Sequence, residues 1–125
     1  MRAINWFEIP TSDFDRAVTF YESIMNCTMR RIEVPGAEEP IPMALFPAEA
    51  HGVSGALVYL KEHRPAAAGP LLYLNANPDL NVIFSRIEAS GGRIIMPKTP
   101  LPNSFGYMAL FFDSEGNHMA LHSME

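Results

Sequence analysis

Glu8 and His122 are the residues of this 125-residue chain best suited by type to move a proton. A carboxylate and an imidazole can serve as general acid and base when their pKa values lie near the working pH. Trp6, two residues before Glu8, offers a planar surface for stacking. Tyr73, Asn75 and His118 add a phenol, an amide and a second imidazole. Met108, with Met43 or Met96, suits an adaptable apolar wall, the alternative being plain core filling. Lys98 precedes the flexible-looking segment 101–106 and could close over an anionic group, its other reading being a solvated lysine. His51 and His63 fall in predicted loops and carry no geometric argument. Cys27 is the single cysteine, which excludes an intrachain disulfide and a multi-thiolate zinc site. No basic neighbour in sequence points at it, so it reads as buried and inert. Asp113 to Asn117 reads as a hairpin loop, its Gly and Asn supplying left-handed conformations, and not as a calcium site.

These groups need strands and helices to hold them, and the sequence supplies the same order of elements twice. The first segment begins with a strand pattern, Ile4 to Ile9, and continues through Ser12-Asp13 into a helix from Phe14 to Met25. Apolar residues at 14, 17, 18, 21, 24 and 25 form one helical stripe. Ser12 suits the N-cap, and Asn26 tolerates the left-handed conformation at which helices often stop. The second segment begins with Leu71 to Ala76. A helix is predicted from Leu80 to about Ser90, with Asn77 as N-cap, Pro78 in its first turn and Gly91-Gly92 ending it. Three strands are predicted after each helix: 28–34, 44–46 and 55–60, then 93–96, 107–112 and 118–122. Residues 61–70 form an exposed connection.

The expected fold is therefore α+β, two βαβββ modules making one domain over residues 1–125. Module one covers about 1–60, the linker about 61–70 and module two about 71–125. Neither half buries enough surface to stand alone, so the two are expected to pack together and leave a concave cleft. Hydrophobic residues at 48% and charged residues at 18% exclude a disordered or collagen-like chain. A net charge of −5 gives no electrostatic footprint for nucleic acid or anionic lipid. No apolar run approaches the ~18 residues of a membrane span. The start MRAINWFEIP carries no signal-peptide stretch, which makes the cytoplasm the expected compartment.

The strand leading into Asp13-Phe14-Asp15-Arg16-Ala17, with Phe20-Tyr21-Glu22, Gly91-Gly92, Pro97-Lys98-Thr99-Pro100 and Asp113-Ser114-Glu115-Gly116-Asn117, resembles the vicinal oxygen chelate superfamily. That group includes lactoylglutathione lyase, bleomycin- and fosfomycin-resistance proteins, methylmalonyl-CoA epimerase and extradiol dioxygenases. The resemblance covers nearly the whole chain and implies fold more than chemistry. It also implies metal ligands (His, Glu or Gln) on the first and last strands of each half. Those positions fall here on Trp6, on Leu72 or Leu71, on Ala120, and near Gly55 or Ala56. None of these side chains binds a divalent cation through oxygen or nitrogen. The resemblance thus leads to an expectation of no metal and no other cofactor.

Alternation places the remaining groups. Leu72, Leu74 and Ala76 should pack on the helix, which leaves Tyr73 and Asn75 in the concavity and makes Tyr73 the counterpart of Glu8. Phe7 and Ile9 should likewise face the helix, which puts Trp6 and Glu8 in the concavity. With Asp113 to Asn117 as the loop, Phe112 pairs with His118, Leu110 with Ala120 and Met108 with His122. The expected ligand cleft is Trp6, Glu8, Tyr73, Asn75, Met108, Leu110, His118, Ala120 and His122. The leading functional expectation is a glyoxalase-like protein that sequesters or senses a mostly apolar small molecule as a homodimer, with neither nucleic acid nor membrane as partner. One alternative is a divergent lyase or isomerase using a displaced metal site or a metal-free acid/base pair at Glu8 and His122. The other is a structural dimerisation module.

Overall fold

The computed structural model describes residues 3–50 and 52–125. His51 and the first two residues of the MRAINWFEIP start therefore lie outside it. The chain runs β1 (Trp6–Pro10), α1 (Phe14–Met25), β2 (Arg30–Val34), β3 (Ile41–Leu45), β4 (Ser54–Val58), β5 (Tyr73–Asn75), α2 (Asn81–Phe84), a 3₁₀ turn (Glu88–Ser90), β6 (Arg93–Pro100), β7 (Tyr107–Phe112) and β8 (His118–Ser123). The strands make two four-stranded sheets of orders β1-β4-β3-β2 and β5-β8-β7-β6. In each, the first strand lies parallel beside the last and the others are antiparallel. The duplication read in the sequence is therefore a duplication of topology, two βαβββ modules in an α+β domain.

Helix α1 spans the predicted residues. Its apolar stripe buries Ala17, Val18, Tyr21 and Ile24, and Asn26 ends it at φ 50°. Adjacent residues of the helix engage different modules. The Phe20 ring lies 6.4 Å from that of Phe111 on β7, while the Tyr21 ring meets Phe46, just after β3, edge-on at 5.5 Å. Ile9 and Leu57 of the first sheet join Leu74, Ala109, Phe111 and Leu121 of the second in one core cluster around α1. Neither sheet has a core of its own, in keeping with how little surface a half-chain can bury.

Two predicted caps are corrected. Asp13, not Ser12, caps α1, its carboxylate accepting from the Arg16 amide at 3.1 Å. Ser12 instead donates both its amide and its hydroxyl to Glu115 at 3.0 Å. The second helix is shorter than the predicted 80–90 and breaks into α2 and the 3₁₀ turn before Gly91 closes it at φ 106°. Asn77 does not cap it. The Asn77 amide oxygen accepts from the Met124 backbone, and the Asp79 carboxylate takes the Asn81 amide at 2.9 Å. Strand β6 is longer than 93–96, running to Pro100 through two register shifts against β7.

Candidate functional site

Period-two alternation on β1 sends Phe7 and Ile9 into the core and leaves Trp6 and Glu8 on the other face. The Trp6 indole Nε1 donates to Glu8 Oε2 at 3.2 Å, which fixes the ring although Trp6 is 45% exposed. In the ladder Trp6 stands opposite Ser54 and Glu8 opposite Ala56. On the second sheet Asn75, His122 and Met108 stand abreast, and so do Tyr73, Ala120 and Leu110; Phe112 faces His118. The three pairings expected for the last hairpin are thus the observed ones. Glu8 beside Ala56 and Tyr73 beside Ala120 occupy matching places in the two modules.

His122 has a defined partner. The segment 101–106 doubles back, Leu101 donating to the Gly106 carbonyl at 2.8 Å, with left-handed φ at Asn103, Ser104 and Gly106. It delivers the Phe105 carbonyl to 2.6 Å from His122 Nε2. A carbonyl only accepts, so Nε2 carries the proton and a neutral ring keeps Nδ1 as acceptor. Glu8 and His122, on separate sheets, thus have separate partners and share no hydrogen bond.

Two pockets divide the predicted cleft residues. One, of about 430 Å³, is lined by Trp6, Glu8 and His118 together with Ile4, Leu72 and, from the linker, His63, Arg64, Ala66, Ala68 and Pro70. The other, of about 920 Å³, takes Tyr73 and Asn75, with Phe7, Phe46 and Leu74 as its apolar base and Glu49 and Ser54 among its polar groups. Met108, Leu110, Ala120 and His122 line neither. The linker contribution had no signal in the sequence, where 61–70 reads only as exposed connection. It is brought in by Asn117, whose amide oxygen accepts from Ala66 at 3.2 Å while its amide nitrogen donates to the Pro10 carbonyl and to Asp113 at 2.9 Å. His118, next in the chain, packs its ring 5.7 Å from Phe112, and its Nε2 is buried without a hydrogen-bond partner.

The other singled-out side chains are engaged elsewhere. Lys98 is paired with Asp79 at 3.0 Å and sits over the Tyr107 ring, so it does not stand free in solvent. Cys27 is half-buried, and burial, reinforced by Glu22, pushes its thiol pKa up, against reactivity. Met43 and Met96 are both half-buried strand residues. The Asp113–Asn117 loop is a structural knot. Asp113 accepts from the Tyr21 hydroxyl at 2.7 Å and from the Glu115 and Asn117 amides. Burial raises its pKa against these bonds.

The donor set was tested against a divalent metal. Among the described residues no three His, Cys, Asp or Glu side chains come together. Glu8 has Ala56 as its ladder neighbour, and His122 has Asn75 and Met108. These residues do not fit the three-ligand open centre of a metal catalyst.

A family model described as the Glyoxalase/Bleomycin resistance protein/Dioxygenase superfamily matches residues 3–121. No curated protein is similar enough in sequence to count as a match. Among solved structures, a glyoxalase/bleomycin resistance protein/dioxygenase domain from Frankia sp. EAN1pec is similar with a TM-score of 0.71 at 16% identity, over 98% of each chain. A glyoxalase I mutant from Zea mays gives 0.67 at 18% identity over 95% of this chain. This chain spans only 45% of that maize chain. An antibiotic binding protein, TnmS3, from Streptomyces sp. CB03234 gives 0.62 at 21% identity, over 98% of this chain and 96% of that one. At these identities the likeness is one of fold.

Proposed function

We propose that this chain, which belongs to the glyoxalase/bleomycin resistance protein/dioxygenase superfamily, is a metal-free small-molecule-binding protein of the cytoplasm that sequesters or senses a mostly apolar compound. The observation that carries this reading is the 430 Å³ pocket, where an indole fixed by Glu8 stands beside Leu72 and linker alanines and proline. A pocket of that size with an apolar lining and a few converging polar groups is the usual form of a small-molecule site. The separate engagements of Glu8 and His122 favour binding over proton transfer between them. The likeness to an antibiotic binding protein supports the same class of role.

Trp6 is the single tryptophan, so its emission reports directly on this pocket. Titration with a panel of planar aromatic compounds is expected to give saturable changes in emission, lost in Trp6→Leu by calorimetry. A flat response across the panel would overturn the reading.

The same reading includes a homodimer. Ile4 and Tyr73 are 49% and 50% exposed, and β1 and β5 are outer strands with unpaired edges, which a second copy would cover. Light scattering is expected to return twice the 13.9 kDa chain mass, and a monomer mass would refute it.

A further inference from the structure

We infer that the 430 Å³ pocket selects a planar aromatic carboxylate, the acid being received by Arg64 and His118 and the ring by Trp6. This deepens the binding reading above and rests on it. Three observations meet at the pocket. The first is the Trp6 face, large and apolar, held in place by its bond to Glu8.

The second is Arg64. The ion pairs among the described residues are Arg16 with Glu115, Arg31 with Asp15 and Lys98 with Asp79. Arg64 belongs to none of them, yet the strap Leu60–Ala66 carries it to the pocket rim. That strap is folded on itself by the Leu60–His63 bridge and tied to the last hairpin by the bond from Ala66 to Asn117. A guanidinium presents paired donors in the geometry a carboxylate accepts.

The third is His118, whose Nε2 is shielded from solvent with no partner while the side chain lines the same pocket. A buried polar atom without a bond is costly to the folded protein. A turn of the imidazole that lets Nε2–H donate to a ligand oxygen removes that cost, and the protein side has no water to strip away first. Glu8 does not cancel this preference for an anion. Its Oε2 accepts from the indole at 3.2 Å, its one negative charge is matched by the Arg64 guanidinium, and His63 and His118 add ring N–H donors to the lining. A cationic ligand would meet the guanidinium at the rim and leave His118 unsatisfied.

The test uses 1-naphthoate, the neutral 1-naphthamide and the cationic 1-naphthylmethylamine, read by Trp6 emission and by calorimetry on the full chain. Naphthoate is expected to bind about tenfold more tightly than the amide, the worth of one charge-assisted hydrogen bond, and the amine more weakly still. Arg64→Gln, at an exposed linker position, should remove most of that advantage by weakening naphthoate binding more than amide binding. His118→Phe should do the same if its melting curve shows it folded. Amide or amine binding as tight as naphthoate, or an Arg64→Gln variant that keeps the preference, would overturn the carboxylate assignment while leaving the pocket a binding site. Absence of binding by all three compounds, with the wider aromatic panel also silent, would overturn the binding reading and this inference together.

Discussion

At the scale of single residues, the most heavily engaged charge is Glu115, which is not part of the pocket lining. One of its oxygens accepts from the Ser12 and Asp13 amides at the start of α1, and the other pairs with Arg16 Nε at 2.8 Å. Burial works against its charged form. The Arg16 bond, with those from Asp13, Ser114 and Ser12, outweighs that effect and holds the carboxyl down at about 2. A carboxylate with a depressed folded pKa stabilises the fold above its unfolded value of about 4.5, and that contribution is lost as pH falls toward 2. Glu115→Gln is expected to cost about 1–2 kcal/mol at pH 7, a range kept low because Arg16 is half-exposed. Urea unfolding should show the gap between wild type and variant closing between pH 4.5 and pH 2. Asp113, two residues away in the same loop, has the opposite sign: its pKa is raised by burial, so its charged form offsets part of the gain as pH rises.

At the scale of elements, β1 is held by a close approach that admits no side chain. A Cβ on Gly55 would meet the Phe7 carbonyl and lie 2.7 Å from the Phe7 ring, so the parallel pairing of β1 with β4 depends on glycine there. Gly55→Ala is expected to cost about 2–3 kcal/mol through overpacking. It should also weaken ligand binding, because the strand that shifts carries Trp6 and Glu8. A denaturation midpoint and an aromatic titration on the same variant measure both effects.

Strand faces were legible from the sequence because alternation decides them locally: Phe7 and Ile9 inward, Tyr73 and Asn75 outward, His118 opposite Phe112. Helix α1 was legible because its stripe is long. The caps were not, since Ser12 and Asp13 are both good caps and the choice is made by Glu115, 103 residues away from Ser12. The start of the second helix is likewise tied from a distance, with Leu80 donating to the Ser123 hydroxyl at the end of β8. The division of the cleft was illegible for the same reason. The linker, carried by one bond to Asn117, gathers His63 and Arg64 beside Trp6, while the doubled-back segment 101–106 gives His122 the Phe105 carbonyl.

At the scale of the whole molecule, Asn117 is where the end of β1, the linker and the last hairpin meet. Asn117→Ala removes the bonds to Pro10, Ala66 and Asp113 in a buried place, and about 3 kcal/mol of destabilisation is expected. The Ala66 amide should exchange with solvent faster in the variant, while amides in the middle of β7 stay protected until global unfolding. Uniform loss of protection would instead mean that Asn117 supports the whole core and not the strap.

The parallel placement of each first strand beside its last strand carries a consequence for the order of events during synthesis. β1 leaves the ribosome early but has no strand partner until Ser54–Val58 has followed it, and β5 waits in the same way for β8. Pairings so distant in sequence are slow to close. The pocket needs Trp6 from near one end of the chain, Arg64 from the middle and His118 from near the other end. The pocket is therefore among the last features of the fold to assemble, and a nascent or truncated chain lacking β8 does not form it.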